Sequence, residues 1–449
     1  MRMTRQCLVA LASASLAACN LDLRNPNSPT EGEVTTSADA TIGLATGLQG
    51  RFSQSYGNFA YMGGLVNDEF ASTTAALISI SDAEQGSVPP GTGIAENVFN
   101  SIYRTVRTAN ELLAGSDALA AQFDAGTRSG LRALAFTLKA ESLGEALQSY
   151  QKIPIKTFGE IAPAYLTRAE ALAYVRALLD SAAAEIAATP PSALFNSSIL
   201  TPGVNLPNVI HLFRARYARM GGDDAAAITA SNLVTRSGPT AMSVLTFPAP
   251  GVNFYANVTG GTNGINPRRQ WRLSMTGGDQ RFTWFVVPSS TVTGRVGALL
   301  DPWNRYASPQ SPLPVYFPDE ALLIKAEALA NTNQLAQSQA VLDSVRTDCT
   351  GNRGIDDPKA CLAPLVGALT QAQLIDEIYR NRRYELLGTG LRWEDSRRRN
   401  LIRGPVAAPA APADGQRCWL PYAIGDRNAN PNVPADPAEP TTFPTGCTY

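Results

Sequence analysis

"DEALLIKAEALANTNQLAQSQAVLDSVR", residues 319–346, places apolar and small residues at helical spacing on both sides of an Asn-rich turn at 331–333. The pattern predicts two antiparallel helices joined tightly. A second stretch, "HLFRARYARMGGDDAAAITASNLV" (211–234), repeats the layout with a Gly-Gly turn, so that Ala215 corresponds to Ala326 and Ala225 to Ala336. Small residues at such positions let helices approach closely, which is the logic of tetratricopeptide-like repeats. The match to a full consensus repeat is poor, so the two stretches are repeat-like.

Helical periodicity extends through most of the chain. Phe99, Ile102, Tyr103, Val106, Ala109, Asn110 and Leu113 form one stripe, and a helix over 128–147 buries Leu131, Leu134, Ala135 and Leu138. "TRAE" at Thr167 predicts a capping box with Glu170, ahead of Leu172, Val175, Leu178 and Leu179. Further helices are expected at 208–219 and 223–236. Between the hairpins, 238–315 turns rich in Gly, Asn, Pro and aromatics, and alternating runs such as Arg281–Val287 predict strands. The fold class expected is mainly α, a helical-hairpin scaffold carrying a loop-rich, partly β insertion. Long irregular insertions in a helical scaffold usually carry function.

The chain opens "MRMTRQCLVALASASLAACNLDLRN", with Arg2 and Arg5 ahead of an apolar run that ends in Leu16-Ala17-Ala18-Cys19. That form is a bacterial lipobox, predicting a signal peptide over 1–18 and lipidation of Cys19. Acyl chains on one residue hold a domain at a membrane because each buried methylene contributes about 0.8 kcal/mol. Residues 19–33 read as a flexible tether. No later stretch approaches the ~20 consecutive apolar residues of a membrane-spanning helix. Without the leader the formal charge moves from −1 to −3, which argues against nucleic acid as a partner. Four further cysteines, Cys349, Cys361, Cys418 and Cys447, have an even count and no CxxC spacing, suiting two disulfides and no metal site. Nearness in sequence pairs Cys349 with Cys361 and Cys418 with Cys447, although four cysteines allow three connectivities.

In this order the pieces resemble the SusD/RagB family of outer-membrane nutrient-uptake lipoproteins. The resemblance is carried by the lipobox, "FNSIYRTVRTANELL" (99–113), "RSGLRALAFTLKAESLGEALQ" (128–148), "YFPDEALLIKAEALA" (316–330) and "IYRNRRYELLGTGLRWEDSRR" (378–398). The last matches a family pattern through Arg382, Arg383, Glu385, Arg392, Trp393 and Asp395, with Asn381 replacing a glutamate. "LPYAIGDRNANPNV" (420–433) resembles the family's terminal segment. The segment after Cys19, "NLDLRN", lacks the acidic residues of many surface-exposed members. The resemblance implies a single domain over 34–449, with helical scaffold at 34–237 and 316–403, insertion at 238–315 and an irregular segment at 404–449. It implies a lipid-anchored lid at the cell outer membrane, facing the exterior. Its partner would be a SusC-like TonB-dependent transporter, to which it delivers a glycan or peptide, with no cofactor.

Nothing convincing for catalysis is present: His211, the one histidine, sits on an apolar helical pattern, and no P-loop or metal-ligand cluster occurs. A glycan site needs aromatic faces flanked by hydrogen-bonding side chains. The insertion offers Tyr255, Trp271, Trp284, Trp303 and Tyr306, with Asn253, Asn266, Arg272 and Asp279 nearby; Tyr56 and Phe59, in a run that also holds Tyr61, form a second candidate set. An envelope scaffold without a small ligand and a surface glycoside hydrolase are the other classes considered. In the arginine-rich stretch Arg382 is expected inward with Glu385 as partner, with Asp376–Arg380, Glu394–Arg398 and Asp395–Arg399 as further i, i+4 pairs.

Overall fold

The computed structural model describes residues 36–73, 78–91, 93–247, 264–295, 297–306, 308, 310–349, 354–402, 415–438 and 447. The leader, Cys19 and the tether, Asn253, Tyr255 and parts of 404–449 lie outside them.

Helix α1 (Ala38–Val66) opens on Ser37, whose hydroxyl accepts the Ala40 N–H, and is followed by strand β1 (Phe70–Ser72) and α2 (Ile78–Glu84). Next come α3 (Gly93–Ala118) and α4 (Ala125–Ser149), then short strands β2 (Ile153–Pro154) and β3 (Tyr165–Leu166), then α5 (Arg168–Ala188). The capping box at Thr167 forms, its N–H donating to the Glu170 carboxylate at 2.9 Å. Helix α1 packs on α3, α3 on α4 and α4 on α5, so the apolar stripes read from the sequence close into one core that includes Ile102, Val106, Leu131 and Leu134.

The first hairpin is α6 (Leu206–Met220) and α7 (Asp224–Asn232). Beyond it lie β4 (Val244–Leu245), β5 (Ile265–Pro267), α8 (Arg269–Leu273), α9 (Arg281–Phe285) and β6 (Leu313–Pro314). The second hairpin is α10 (Pro318–Asn331) and α11 (Leu335–Arg346), which packs its first helix on α7. The two turns correspond: Gly222 and Asn333 both take a left-handed φ, +72° and +60°, which these residue types tolerate best. Ala215 and Ala326 are buried as expected. Ala225 and Ala336 are exposed; the close approach is made two or more residues later, by Ala227 and Ala230 and by Ser338, whose hydroxyl donates to Ala326 O at 2.7 Å.

The insertion pairs β5 antiparallel with β1, and β6 with β4. Arg281–Val287 is not a strand. The Asp279 carboxylate accepts both the Arg281 N–H (3.1 Å) and the Arg281 Nε (3.0 Å), which starts a helical turn that the alternating side chains alone do not reveal. Each sheet among the described residues has two strands, and the fold is mainly α.

Helices α12 (Gln371–Glu385), α13 (Leu391–Arg398) and α14 (Ile424–Ala429) complete the chain. Gly390, at φ +77°, lets the α12–α13 corner press onto α1: a Cβ there would meet the Phe59 ring at 2.8 Å and Ala60 Cα at 3.0 Å. The arginines of this corner choose distant partners. Arg382 is held by Asp395 (2.8 Å) and not by Glu385, which lies 3.6 Å from Arg281. Arg380 pairs with Glu377, Arg398 with Glu327, and Arg399 with Asp376, in place of the expected i, i+4 pairs. Glu394 binds Arg397 and Arg168. Arg397 lies between the Trp393 and Trp419 rings, 4.6 and 4.2 Å from their centres.

These buried charges continue into the hairpins. Arg219 bonds Glu327 and, at 2.7 Å, Asp395; Arg216 bonds Glu320 and Glu141. Burial pushes the Asp395 carboxyl up, but Arg382 and then Arg219 more than offset it and hold it well below the ordinary carboxylate range. Cys349 is joined to Cys361 and Cys418 to Cys447.

Candidate ligand cleft

Trp284 is carried on α9, a single turn whose neighbour Phe285 is fully buried against Trp271 and Phe317. Phe285 anchors the turn, and the next ring is left half-buried at the surface. The Trp284 indole meets Phe285, Phe317 and Tyr306 edge-on, with ring centres 4.7, 5.4 and 6.1 Å away. Three edge contacts fix the plane of a side chain that still reaches solvent.

Polar groups surround that ring. Its Nε1 donates to Asp356 Oδ1 at 2.8 Å. The Arg305 guanidinium lies 4.7 Å from the ring centre and bonds Asp356 at 2.6 Å. Gln280, Thr283, Asn304, Ile355, Asp357 and Lys359 complete a cleft of about 420 Å³. The Asn304 amide donates to Thr283 O at 3.1 Å, which orients its carbonyl. Residues 355–359 belong to the loop closed by the Cys349–Cys361 disulfide, and this wall meets the other where the Gln280 N–H donates to Ala360 O at 3.1 Å and Asp356 holds Trp284 and Arg305. An indole, two amides, two carboxylates and two cations in one open cleft suit a ligand with apolar faces edged by hydroxyls.

Below the cleft, carboxylate oxygens of Asp319, Asp348 and Asp357 lie within 4.8 Å of one another. The chain supplies its own cations to them. Lys359 Nζ bonds Asp348 at 2.8 Å and also Asp357, and Arg236 bonds Asp319 at 3.0 Å. The lysine ammonium occupies the position a metal would take between two of these groups.

The other described aromatics expected to face a ligand are core residues. Trp271 is 2% exposed and donates to Arg383 O; Trp303 is 4% exposed and donates to Ile265 O. Tyr306, Tyr56, Phe59 and Tyr61 are buried too. Their flanking polar groups serve the fold: Asn266 accepts the Trp303 N–H, Arg272 binds Asp301 and Asp279 binds Arg281. The sequence reading missed Asn304, Arg305, Asp356 and Lys359. Arg305 lies two residues from Trp303 in the insertion, but Asp356 lies outside it and is brought in by the disulfide loop. His211 is half-buried, and burial followed by Arg214 pushes its pKa down; it lines none of this cleft.

Residues 313–430, which include the second hairpin and the α12–α13 corner, match the family model described as the SusD family. No curated protein matches the chain. A SusD superfamily protein from Bacteroides fragilis shares the fold with a TM-score of 0.70 at 16% identity, over 89% of this chain and 99% of that chain. A SusD-like carbohydrate binding protein from Bacteroides fragilis gives 0.67 at 16%, over 89% and 100%. Surface glycan-binding protein A from Bacteroides uniformis gives 0.64 at 15%, over 87% and 99%. At these identities the likeness is one of fold.

Proposed function

Because the chain belongs to the SusD/RagB family, we propose that it is a binding protein that captures an oligomeric nutrient without changing it. In this reading Cys19 carries the lipid anchor, the domain stands at the outer membrane facing the exterior, and the ligand passes to a SusC-like TonB-dependent transporter. The observation that carries the binding role is the Trp284 cleft, where a rigidly held, partly exposed indole is edged by Asn304, Arg305 and Asp356. Such a surface favours a glycan over a peptide because pyranose faces stack on indoles while hydroxyls take the amides and carboxylate. The names of the carbohydrate-binding and glycan-binding neighbours support the same class.

The test is calorimetric titration of the mature chain with a panel of oligosaccharides, followed by mass spectrometry of the recovered ligand. A glycan is expected to bind and to be recovered intact. Trp284→Ala should weaken it by about 2 kcal/mol, the loss typical of a central aromatic contact. Hydrolysed product, or unchanged affinity in Trp284→Ala, overturns the reading. For the anchor, labelled palmitate should enter the wild-type chain in cells and not Cys19→Ser.

A further inference from the structure

At the end of α1, on either side of Asp68 and its ion pair with Arg268, the side chains of Asn67 and Glu69 are buried with polar atoms that have no hydrogen-bond partner among the described residues. Glu69 is 5% exposed, yet neither carboxylate oxygen accepts a hydrogen bond; Asn67, at 4%, has both amide atoms unmatched. A buried carboxylate is ordinarily paired, because leaving it bare costs several times what a pair gains. The corner that Gly390 presses onto α1 brings two more unmatched groups here. Arg383, whose carbonyl is fixed by the Trp271 indole, lies in the last turn of α12, and Arg392 lies in the first turn of α13. Both are half-buried, and neither side chain makes a hydrogen bond or ion pair among the described residues. The two guanidiniums act on each other as like charges and on Glu69 as opposite ones.

Every other arginine of α12 and α13 has an acidic partner in the structure. Two half-buried guanidiniums that act on each other and on a buried carboxyl without a hydrogen bond make a cationic place suited to an anion. We propose that Arg383 and Arg392 form a binding site for a carboxylate group, with Glu69 as its floor. A planar carboxylate matches the fork of a guanidinium, and a neutral Glu69 can donate its hydroxyl proton to the same ligand. The carboxylate comes from an acidic sugar or from an acidic amino acid, and the experiment separates these.

Burial pushes the Glu69 carboxyl up to about 8, against the opposing pull of Arg392 and Arg383. The charged and titratable groups around it are Arg383 and Tyr384 on α12, Arg392 and Asp395 on α13, and the adjacent Asp68–Arg268 pair. Below that pH Glu69 is neutral and the arginines need an external anion. Above it Glu69 ionises, supplies the counter-charge and competes with the ligand.

The mature chain is titrated calorimetrically with glucuronate, glucose and N-acetylglutamate, with no oligosaccharide present, so the outcome is independent of the Trp284 reading. One or both acids are expected to bind at pH 7 and glucose to show no binding in Arg392→Gln or in wild type at this site. Arg383→Gln and Arg392→Gln should each weaken the acid by about tenfold, while Arg383→Lys restores part of the loss. Wild-type affinity should fall as pH rises through 8, and Glu69→Gln should remove that dependence. If neither acid binds, or if Glu69→Gln lowers Tm as far as Asp395→Ala does, Glu69 is the structural partner of the arginines and the site does not exist.

Discussion

Arg382 and Arg383 are neighbours in sequence and opposite in circumstance. The first is 1% exposed and clasped by Asp395, which also holds Arg219 from the first hairpin. The second reaches solvent with no acidic partner, beside Arg392 and an unmatched Glu69. The acids differ in the same way. Those at the saturated corner, Asp395, Glu327 and Glu394, are held below the ordinary carboxylate range because their arginines outweigh burial. Glu69 is pushed up because burial outweighs its arginines. One composition of charges therefore builds two things: a closed lattice that fixes helices, and an open pair available to another molecule.

The largest effect should come from breaking the closed side. Asp395→Ala strands the buried guanidinium of Arg382, leaves Arg219 with Glu327 alone, and is expected to cost about 3–5 kcal/mol in urea unfolding. Acid should reach the same lattice. Its carboxyls are depressed in the folded state, so their contribution is complete above the unfolded range near 4 and is lost as pH falls below it. Stability should therefore decline steeply below pH ~4 in the wild type and less steeply in Asp395→Asn, whose neutral amide does not titrate. Equal slopes would mean that Asp395 is not part of the acid response. Next in size is Gly390→Ala. Its methyl would enter the Phe59 ring and the Ala60 backbone at a left-handed φ, and a loss of about 1–3 kcal/mol is expected. An unchanged Tm would show that the corner does not bear on α1 as tightly as the distances indicate.

The hairpins were readable because helical period and turn chemistry are local: "NTN" and "GG" mark the same bend, and Thr167 caps its own helix. Their contact surface was read out of phase, since Ala225 and Ala336 look as suitable as Ala227 and Ser338 until the helices are rotated against a neighbour. Arginine partners were not readable. Spacing suggests i+3 and i+4, but Asp395 lies 13 residues from Arg382 and 176 from Arg219. The same limit hid the cleft. Trp271, Trp284 and Trp303 look alike in a Gly- and Asn-rich segment, and which one keeps an exposed edge depends on Phe285, Phe317 and Asp356 converging from three places.

The smallest effect is expected from the open side, and it tests the comparison most directly. Arg382→Met and Arg383→Met remove the same charge and leave similar aliphatic length one position apart. Arg382→Met leaves Asp395 buried with Arg219 alone, so it should cost several kcal/mol. Arg383→Met leaves no partner behind and relieves the repulsion on Arg392. Its change should stay within about 1 kcal/mol, as for a substitution that breaks no buried pair. Paired urea denaturation of the two variants reads the difference. Comparable losses would mean that Arg383 braces the fold as Arg382 does, and the division between closed lattice and open pair would not hold. A large loss in Arg382→Met beside a near-neutral Arg383→Met would leave Arg383 with a charge that folding does not use.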